Sequence, residues 1–267
     1  MTPLDLPDLL APTRRQDPSR PLVTFYDDAT GERVELSAVT FGNWVAKTAN
    51  LLADLDVEAG DDVGILLPTH WQTAAVLAAV WTHGAAAWVG RTAIMAAGQV
   101  PVLFADVARL DQAIALRDGE HCQDLVVLPL KPLGGRLDDG QAASADGVHD
   151  YAATVLAMPD VYQVVDLPAP DQRVLAIDDV EVSAADLVGL AVERAEAMGL
   201  STMDRVLFTG SYAELAGLLD GLLVPLAGNA SLVLVRNPDP AALPARAEAE
   251  MVTATVGIDI PGFRRLA

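Results

Sequence analysis

Apolar positions divide the start of the chain into two short strands and one amphipathic helix. The runs LVTFYD (residues 22 to 27) and RVEL (33 to 36) flank the glycine-containing turn DATG and predict a hairpin. Ser37 is placed to cap a helix whose apolar positions, from Phe41 to Leu55, recur every three to four residues. The chain is therefore expected to open with a hairpin followed by a helix.

The pattern continues with two apolar runs around a second helix. VGILL (63 to 67) predicts a buried strand, and Thr69 and Gln72 have the spacing of a capping box at the start of a helix that ends near His83. AAAWVG (85 to 90) predicts the next strand. Because the helix is apolar on nearly all sides, we expect it to be covered on both sides.

The rest of the chain repeats this alternation on either side of a long connection. Lys131 to about Gln172 is rich in Pro, Gly and Asp and has no clear period. Strands are predicted at 100 to 106, 124 to 130, 206 to 209, 231 to 235 and 253 to 257, and helices at 107 to 117, after Ser183 with its capping partner Asp186, at 213 to 226 and after Pro240.

Strands that alternate with helices predict parallel pairing through right-handed crossovers. The predicted fold class is α/β, with two packed lobes whose mainly parallel sheets are flanked by helices. The first lobe spans about residues 1 to 130, the connection about 131 to 172 and the second lobe about 173 to 267, together one domain.

The charge balance narrows the classes of partner. The chain has 17 basic and 37 acidic residues, a net charge of -20, and 52% hydrophobic residues that are enough for a large core. The electrostatic field of this negative net charge repels nucleic acid and anionic membranes, so neither is expected as a partner. It also disfavours ATP or coenzyme A without local compensation, and the only lysines are Lys47 and Lys131.

The cysteine count and the first residues favour a cytoplasmic protein. Cys122 is the only cysteine, so no intrachain disulfide forms and a reducing compartment is the simplest setting. MTPLDLPDLLAPTRRQ has prolines and acids where a signal peptide needs a basic start and an apolar block. The most apolar stretch, residues 74 to 90, is shorter than the roughly 20 residues that span a bilayer.

Candidate chemical groups are few and scattered. None of the histidines pairs with another at a metal-binding spacing, so no metal site is expected and helix-end or surface positions are favoured for them. These histidines are His70, His83, His121 and His149. Cys122 is interpreted as a small buried thiol because nothing nearby in the sequence indicates a lowered pKa.

Two loops could contact a ligand or could be ordinary turns. Thr209 to Tyr212 follows a predicted strand, where parallel sheets gather ligand groups, but Thr209 and Ala213 replace both glycines of a nucleophile elbow. Gly134, Gly135 and Arg136 follow Lys131 and could offer backbone N–H groups to an anion, although they match no nucleotide motif. The acidic doublets, such as Asp178-Asp179, are interpreted as solvated or capping residues.

Two stretches resemble the N-terminal part of the AMP-forming acyl-CoA synthetases, the adenylate-forming superfamily. EAGDDVGILLPTHWQTAAVLAAVWTHGAAAW (58 to 88) has that family's order of G-D-x-V, apolar strand, Pro and a Trp-containing helix ending at Gly. MDRVLFTGSYAELAGLLDGLLVPLAGNASLVLV (203 to 235) and TATVGIDIPGF (253 to 263) resemble its next section. The resemblance covers about residues 20 to 105 and 200 to 265 and indicates a shortened, divergent bacterial relative.

The departures from this family bear on activity. Its Ser/Thr/Gly-rich phosphate loop with Pro-Lys-Gly would lie just before the helix capped by Ser183, where this chain has VLAIDDVEV (174 to 182). Its aromatic-His pair near the acyl pocket is replaced by Ala213-Glu214. In that family the adenine-binding and ribose-binding motifs, the hinge and the C-terminal domain with the catalytic lysine follow the section that resembles residues 253 to 263, and we expect this protein to lack them.

Three functions follow as alternatives. The favoured one is a truncated, non-catalytic homologue that binds an unknown small ligand or protein partner; ATP or AMP is implied only by the resemblance. The others are an adenylating enzyme completed by a partner subunit and an assembly subunit that forms a homo-oligomer. The resemblance places a ligand site at the strand ends of the second lobe, lined by Ser211, Tyr212 and Glu214 on one side and Gly257, Ile258 and Asp259 on the other.

Overall fold

Two sheets organise the part of the chain that the computed structural model describes, residues 5–11, 17–131, 135–137, 147–164 and 166–266. The strands are β1 Pro21–Asp27, β2 Glu32–Ser37, β3 Asp62–Leu66, β4 Ala86–Val89, β5 Val100–Asp106, β6 Cys122–Leu128, β7 Val148–Asp150, β8 Arg173–Ile177, β9 Val180–Ser183, β10 Arg205–Phe208, β11 Ser231–Arg236, β12 Ala254–Val256 and β13 Arg264–Arg265.

Helices separate most of these strands. They are α1 Leu6–Leu10, α2 Ala38–Asp54, α3 Trp71–His83, α4 Arg91–Ala97, α5 Leu110–Asp118, α6 Tyr151–Val155, α7 Ala184–Ala197, α8 Leu215–Leu218, α9 Val224–Ala227 and α10 Leu243–Ala249. The Ser37 cap is confirmed, because its Oγ accepts a hydrogen bond from the Thr40 N–H at 3.1 Å. The predicted helix 213 to 226 instead consists of α8, a π-helical segment Leu219–Leu223 and α9.

Contacts along the chain define two compact units, each built around one sheet. Unit 1 comprises Met1–Gly42, Thr69–Ala74 and Asp186–Ala267, and unit 2 comprises Asn43–Pro68 and Ala75–Ala185. Each unit therefore combines separate segments of the chain. Strands β1 and β2 from the start of the chain join β11 in unit 1, while β8 and β9 join β4 in unit 2.

The sheet of unit 1 has the order β13-β12-β10-β11-β1-β2. Its pairs are parallel except for the β1–β2 hairpin, in which Thr24 lies opposite Glu35. On one face Leu207, Val233 and Val235 pack with Leu243 of α10, a cluster that also holds Tyr26 at its margin. The parallel strands place their carboxyl ends at one edge of this sheet and their amino ends at the other.

The sheet of unit 2 has the order β7-β6-β5-β3-β4-β8-β9, parallel except for the hairpin of β8 and β9. Central strands β3, β4 and β5 are buried on both faces, which explains why their sequences are apolar runs without alternation. Both sheets confirm the predicted α/β class with mainly parallel pairing. The predicted long connection includes β7 and α6, and Gly134 lies outside the described residues.

The apolar helix α3 has 13 residues. Within the described ranges, no helix is long and apolar enough to cross a membrane.

Candidate functional site

The carboxyl edge of the unit 1 sheet carries the residues that the sequence places at a ligand site. Strand β10 ends at Phe208 and β12 at Val256, and the loops that follow them contain both halves of the predicted set. The Thr209 N–H reaches the Val256 carbonyl at 3.4 Å. The two loops are therefore adjacent, as expected for neighbouring parallel strands.

Gly257 allows this close approach. Its φ is +81°, and a Cβ at this position would lie 3.2 Å from Thr209 Oγ1 and 3.3 Å from the Gly210 nitrogen. Both the left-handed backbone and the crowding favour glycine. Beyond it, Ile258 is half-buried, with its carbonyl accepting from Thr255 Oγ1 at 2.9 Å, and Asp259 is exposed.

The residues after β10 divide into exposed and buried groups. Ser211 and Glu214 are exposed, and Ser211 Oγ accepts from the Ala213 N–H at 3.1 Å. Tyr212 is buried, stacks on Phe208 and donates its hydroxyl to the Gly221 carbonyl at 2.9 Å. Burial raises the pKa of the Tyr212 phenol. Its side chain anchors the turn, and ligand contact stays a prediction for the exposed groups.

Thr69 ties this turn to a second part of the chain. Its hydroxyl accepts from the Tyr212 N–H at 2.9 Å and donates to the Gly210 carbonyl at 3.3 Å. The predicted capping box is therefore wrong, because the Thr69 side chain serves the turn. The Gln72 N–H donates instead to Nδ1 of His70 at 3.1 Å, directly before α3 begins.

His70 belongs to a buried polar cluster that sequence reasoning missed. Because Nδ1 accepts a hydrogen bond, the neutral imidazole carries its proton on Nε2 and donates toward Glu32 Oε2 at 3.5 Å. The Trp71 indole N–H donates to Glu32 Oε1 at 3.3 Å, and Phe25 lies edge-on to the imidazole at 4.3 Å. His70 lies at a helix end, directly before α3, as the sequence predicts, but it is fully buried.

Burial lowers the pKa of His70, and Glu32 opposes that shift. The imidazole thus lies neutral in the interior beside a carboxylate that would favour its protonation. The only sequence signal was a histidine next to a helix start, which is common. Its partner lies 38 residues away on β2, so no local pattern could identify the pair.

The β8–β9 hairpin of unit 2 occupies the place that the family resemblance gives to a phosphate loop. Ile177 pairs directly with Val180, so Asp178 and Asp179 alone form the turn. Both are exposed, and Asp178 has a φ of +53°. Successive N–H groups that could surround an anion are replaced by two carboxylates at the tip of a tight turn.

Comparisons with known proteins identify the family. No family model matches this chain. A relative from Mycobacterium tuberculosis (strain ATCC 25618 / H37Rv), described as a TIGR03089 family protein, is 45% identical over 248 residues, covering 92% of this chain and 95% of the relative. The chain belongs to the TIGR03089 family.

Solved structures show which fold this TIGR03089 family member has. An acyl-CoA synthetase from Brucella canis matches with a TM-score of 0.75 and 18% identity, over 96% of this chain and 48% of that one. The anthranilate CoA ligase AuaEII in complex with anthranoyl-AMP matches with a TM-score of 0.75 and 15% identity, over 96% and 50%. The chain spans about half the length of these two proteins.

The N-terminal domain of FACL13 from Mycobacterium tuberculosis matches equally, with a TM-score of 0.75 and 14% identity over 95% of this chain and 62% of that one. The TIGR03089 family member therefore has the fold of the N-terminal domain of AMP-forming acyl-CoA synthetases. The resemblance stated from the sequence is confirmed at the level of the fold.

The other residues that the sequence singles out have structural roles or are buried. His83 is the last residue of α3, a helix-end position as the sequence predicts, and it is buried. Its Nε2 donates to the Val57 carbonyl at 2.8 Å, so Nδ1 accepts from the Tyr162 hydroxyl. Lys131 donates to the Arg136 carbonyl at 3.1 Å. Burial raises the pKa of the Cys122 thiol to about 11. Across the described ranges, no three His, Cys, Asp or Glu side chains gather as a metal site.

Proposed function

We propose that this protein is a non-catalytic binding protein built on the synthetase N-terminal fold. It holds a ligand or a protein partner and does not form acyl adenylates by itself. The observation that carries the proposal is the two-residue turn at Asp178 and Asp179, where the family resemblance implies a phosphate loop.

The chemistry of this turn opposes a triphosphate. A phosphate loop works by directing several backbone N–H groups at the anion and by adding a lysine. Here the strand ladder continues from Arg173–Ser183 to Ile177–Val180, and the tip presents two negative side chains. Like charges a few ångströms apart repel one another, and this chain already carries a net charge of -20.

The predicted ligand residues at the carboxyl edge of unit 1 support a different kind of ligand. Ser211, Glu214 and Asp259 are exposed in the loops that follow β10 and β12, and Gly257 in the second loop lies close to Thr209 and Gly210 in the first. Two carboxylates and a hydroxyl at one edge favour a ligand or partner surface with hydrogen-bond donors or positive charge. Tyr212 contributes by holding the turn and offers no free hydroxyl.

The direct test is ATP-dependent pyrophosphate release by the purified chain with a panel of carboxylic acids that includes anthranilate. We expect no release above the buffer blank, with an acyl-CoA synthetase as positive control. Calorimetric titration with ATP-Mg and a non-hydrolysable acyl-adenylate analogue is expected to give no heat. Sustained turnover by the chain alone would contradict the proposal.

A second candidate is favoured by the coverage of the solved synthetases. Because the chain spans about half their length, another protein could supply the remaining elements of an adenylating enzyme. Gentle purification of the tagged chain from its native host, followed by the same pyrophosphate assay, tests this arrangement. Activity that depends on a defined copurifying protein would favour it, and a chain that purifies alone and inactive would exclude it.

A further inference from the structure

One cavity lies at the amino edge of the unit 1 sheet, opposite the candidate site. It has a volume of about 710 Å³ and is lined where β10 and β11 begin, at Arg205 and Ser231, and by the start of β1. Cavities of this size accommodate small organic ligands. Every residue that lines it belongs to unit 1.

The acids in this cavity already accept hydrogen bonds. Glu250, only 9% exposed, accepts from the Tyr26 hydroxyl at 2.5 Å, from Arg33 at 3.0 Å and from Arg205 at 2.7 Å. Asp204 accepts from the Ser201 N–H and from Arg264, each at 2.9 Å. Burial raises the pKa of Glu250, but the hydrogen bonds from Tyr26, Arg205 and Arg33 outweigh it and lower the pKa to about 2.

Two further acids are satisfied in the same way. Asp17 accepts from the N–H and the hydroxyl of Ser19, at 3.1 and 2.6 Å, and Glu35 accepts from Arg33 at 3.0 Å. The negative groups of the lining are therefore engaged by protein donors.

Two arginines keep exposed donors at the cavity surface, although the lining holds four acids and three arginines. Arg33 uses Nε and Nη2 for Tyr26, Glu35 and Glu250, and its side chain is still 48% exposed. Arg20 is exposed, and within the described ranges its guanidinium has no hydrogen-bond partner. Exposed guanidinium groups bind carboxylates, sulfonates and phosphates through their planar donors.

Two methionines supply an apolar rim. Met203 and Met251 are each 78% exposed and both line the cavity. Met251 has a φ of +53° directly after α10, where its N–H closes the helix end onto the Glu248 carbonyl. Glycine is the usual residue at this position because a side chain is strained there. Met251 thus destabilises the backbone without the compensation of a packed side chain.

From these contacts we propose that the cavity binds a small amphipathic anion. Its apolar or aromatic body lies against the flexible thioethers of Met203 and Met251, and its acidic group meets Arg20 and Arg33. Methionine suits such a surface because its unbranched side chain adapts to different shapes. The site lies at the other edge of the sheet from the residues of the proposed function and does not depend on that proposal.

Fluorescence titration with the aromatic sulfonate 8-anilinonaphthalene-1-sulfonate tests the site. Met251→Gly is expected to raise the melting temperature by about 2–4 °C, because it relieves the strained backbone, and to weaken dye binding about fivefold. Met95→Ala, at an exposed methionine of α4 in unit 2, is the matched control and is expected to change dye binding by less than about twofold.

The acidic group is tested separately. Arg20→Gln is expected to weaken dye binding as Met251→Gly does, whereas Arg91→Gln, at an exposed arginine of α4 in unit 2 that lines neither this cavity nor a second one near Arg265, is not. Octyl sulfate should displace the dye and uncharged octyl glucoside should not. Unchanged binding in a thermally stabilised Met251→Gly variant, or equal losses in the test and control variants, would overturn the proposal.

Discussion

The imidazole of His70 lies in the interior of unit 1, where charges of both signs face it. Glu32 and Asp27 favour the protonated ring, whereas Arg236 and burial oppose it, and burial has the largest effect. The pKa of His70 is therefore held below its ordinary value of 6.5. This residue makes stability depend on pH in a direction that can be stated in advance.

The unfolded chain takes up a proton at His70 near pH 6.5 that the folded chain binds only at lower pH. The contribution of neutral His70 to the unfolding free energy is therefore fully present above about pH 6.5. It is lost as the pH falls below that value, by up to about 1.4 kcal/mol per pH unit for one proton. We expect His70→Gln to flatten the curve of unfolding free energy against pH between about pH 7 and 5. Urea unfolding of both proteins at a series of pH values measures this dependence of the unfolding free energy on pH.

His121→Gln is the matched control, because it also removes one imidazole but at a partly exposed position. Its curve against pH is expected to keep the slope of the parent chain. If His70→Gln and the parent chain lose stability in parallel over this range, the buried imidazole does not control the acid dependence.

At the scale of elements, the backbone geometry of the β8–β9 turn predicts different effects of substitution at its two residues. Asp178 has a φ of +53°, whereas Asp179 is not among the residues with positive φ. We expect Asp178→Gly to raise the unfolding free energy by a few tenths of a kcal/mol, up to about 1, because glycine relieves the left-handed strain. Asp179→Gly is expected to lower it by about 0.5–1 kcal/mol, because it adds only freedom to the unfolded chain.

Thermal and urea unfolding of the two variants provide the measurement, and each variant is the control for the other because both remove one carboxylate from the same turn. Equal effects at the two positions would show that the segment is a flexible loop. That result would also remove the main support for a non-catalytic function.

Sequence patterns specify the elements of this fold better than their partners. The β1–β2 hairpin and the Ser37 cap are local features, and both are confirmed. The pairing of β1 with β11, such as Thr24 with Val233, joins residues about two hundred positions apart, and no local period encodes it. Unit 1 therefore combines separate parts of the chain that no local pattern connects.

The candidate site also contains contacts that the sequence predicts and contacts that it does not. The adjacency of the loops after β10 and β12 could be predicted because parallel strands share a carboxyl edge. The role of Thr69 could not, because its hydroxyl meets a turn 143 residues away, and its spacing from Gln72 gave a plausible local alternative. The buried pair of His70 with Glu32 could not be predicted either, because the two residues lie 38 positions apart in the sequence.

For the whole molecule, the excess of 37 acidic over 17 basic residues governs stability in two opposing ways. Repulsion among unpaired acids acts over long distances and destabilises the folded chain. Ion pairs such as Arg246 with Asp28, 2.6 Å apart with both side chains largely buried, act at short range and are screened less. Exposed pairs contribute about 0–1 kcal/mol each. The long-range repulsion is therefore the interaction that salt should change most.

We expect the melting temperature to rise by about 2–5 °C between roughly 10 mM and 300 mM NaCl, as the screening length falls from about 30 Å to below 8 Å. Potassium chloride should act equally if screening is the cause. A double variant Glu193→Gln and Glu196→Gln, at exposed acids of α7, should melt higher in low salt and respond less to added salt. A melting temperature that falls with NaCl would mean that the ion pairs outweigh the net repulsion in this protein.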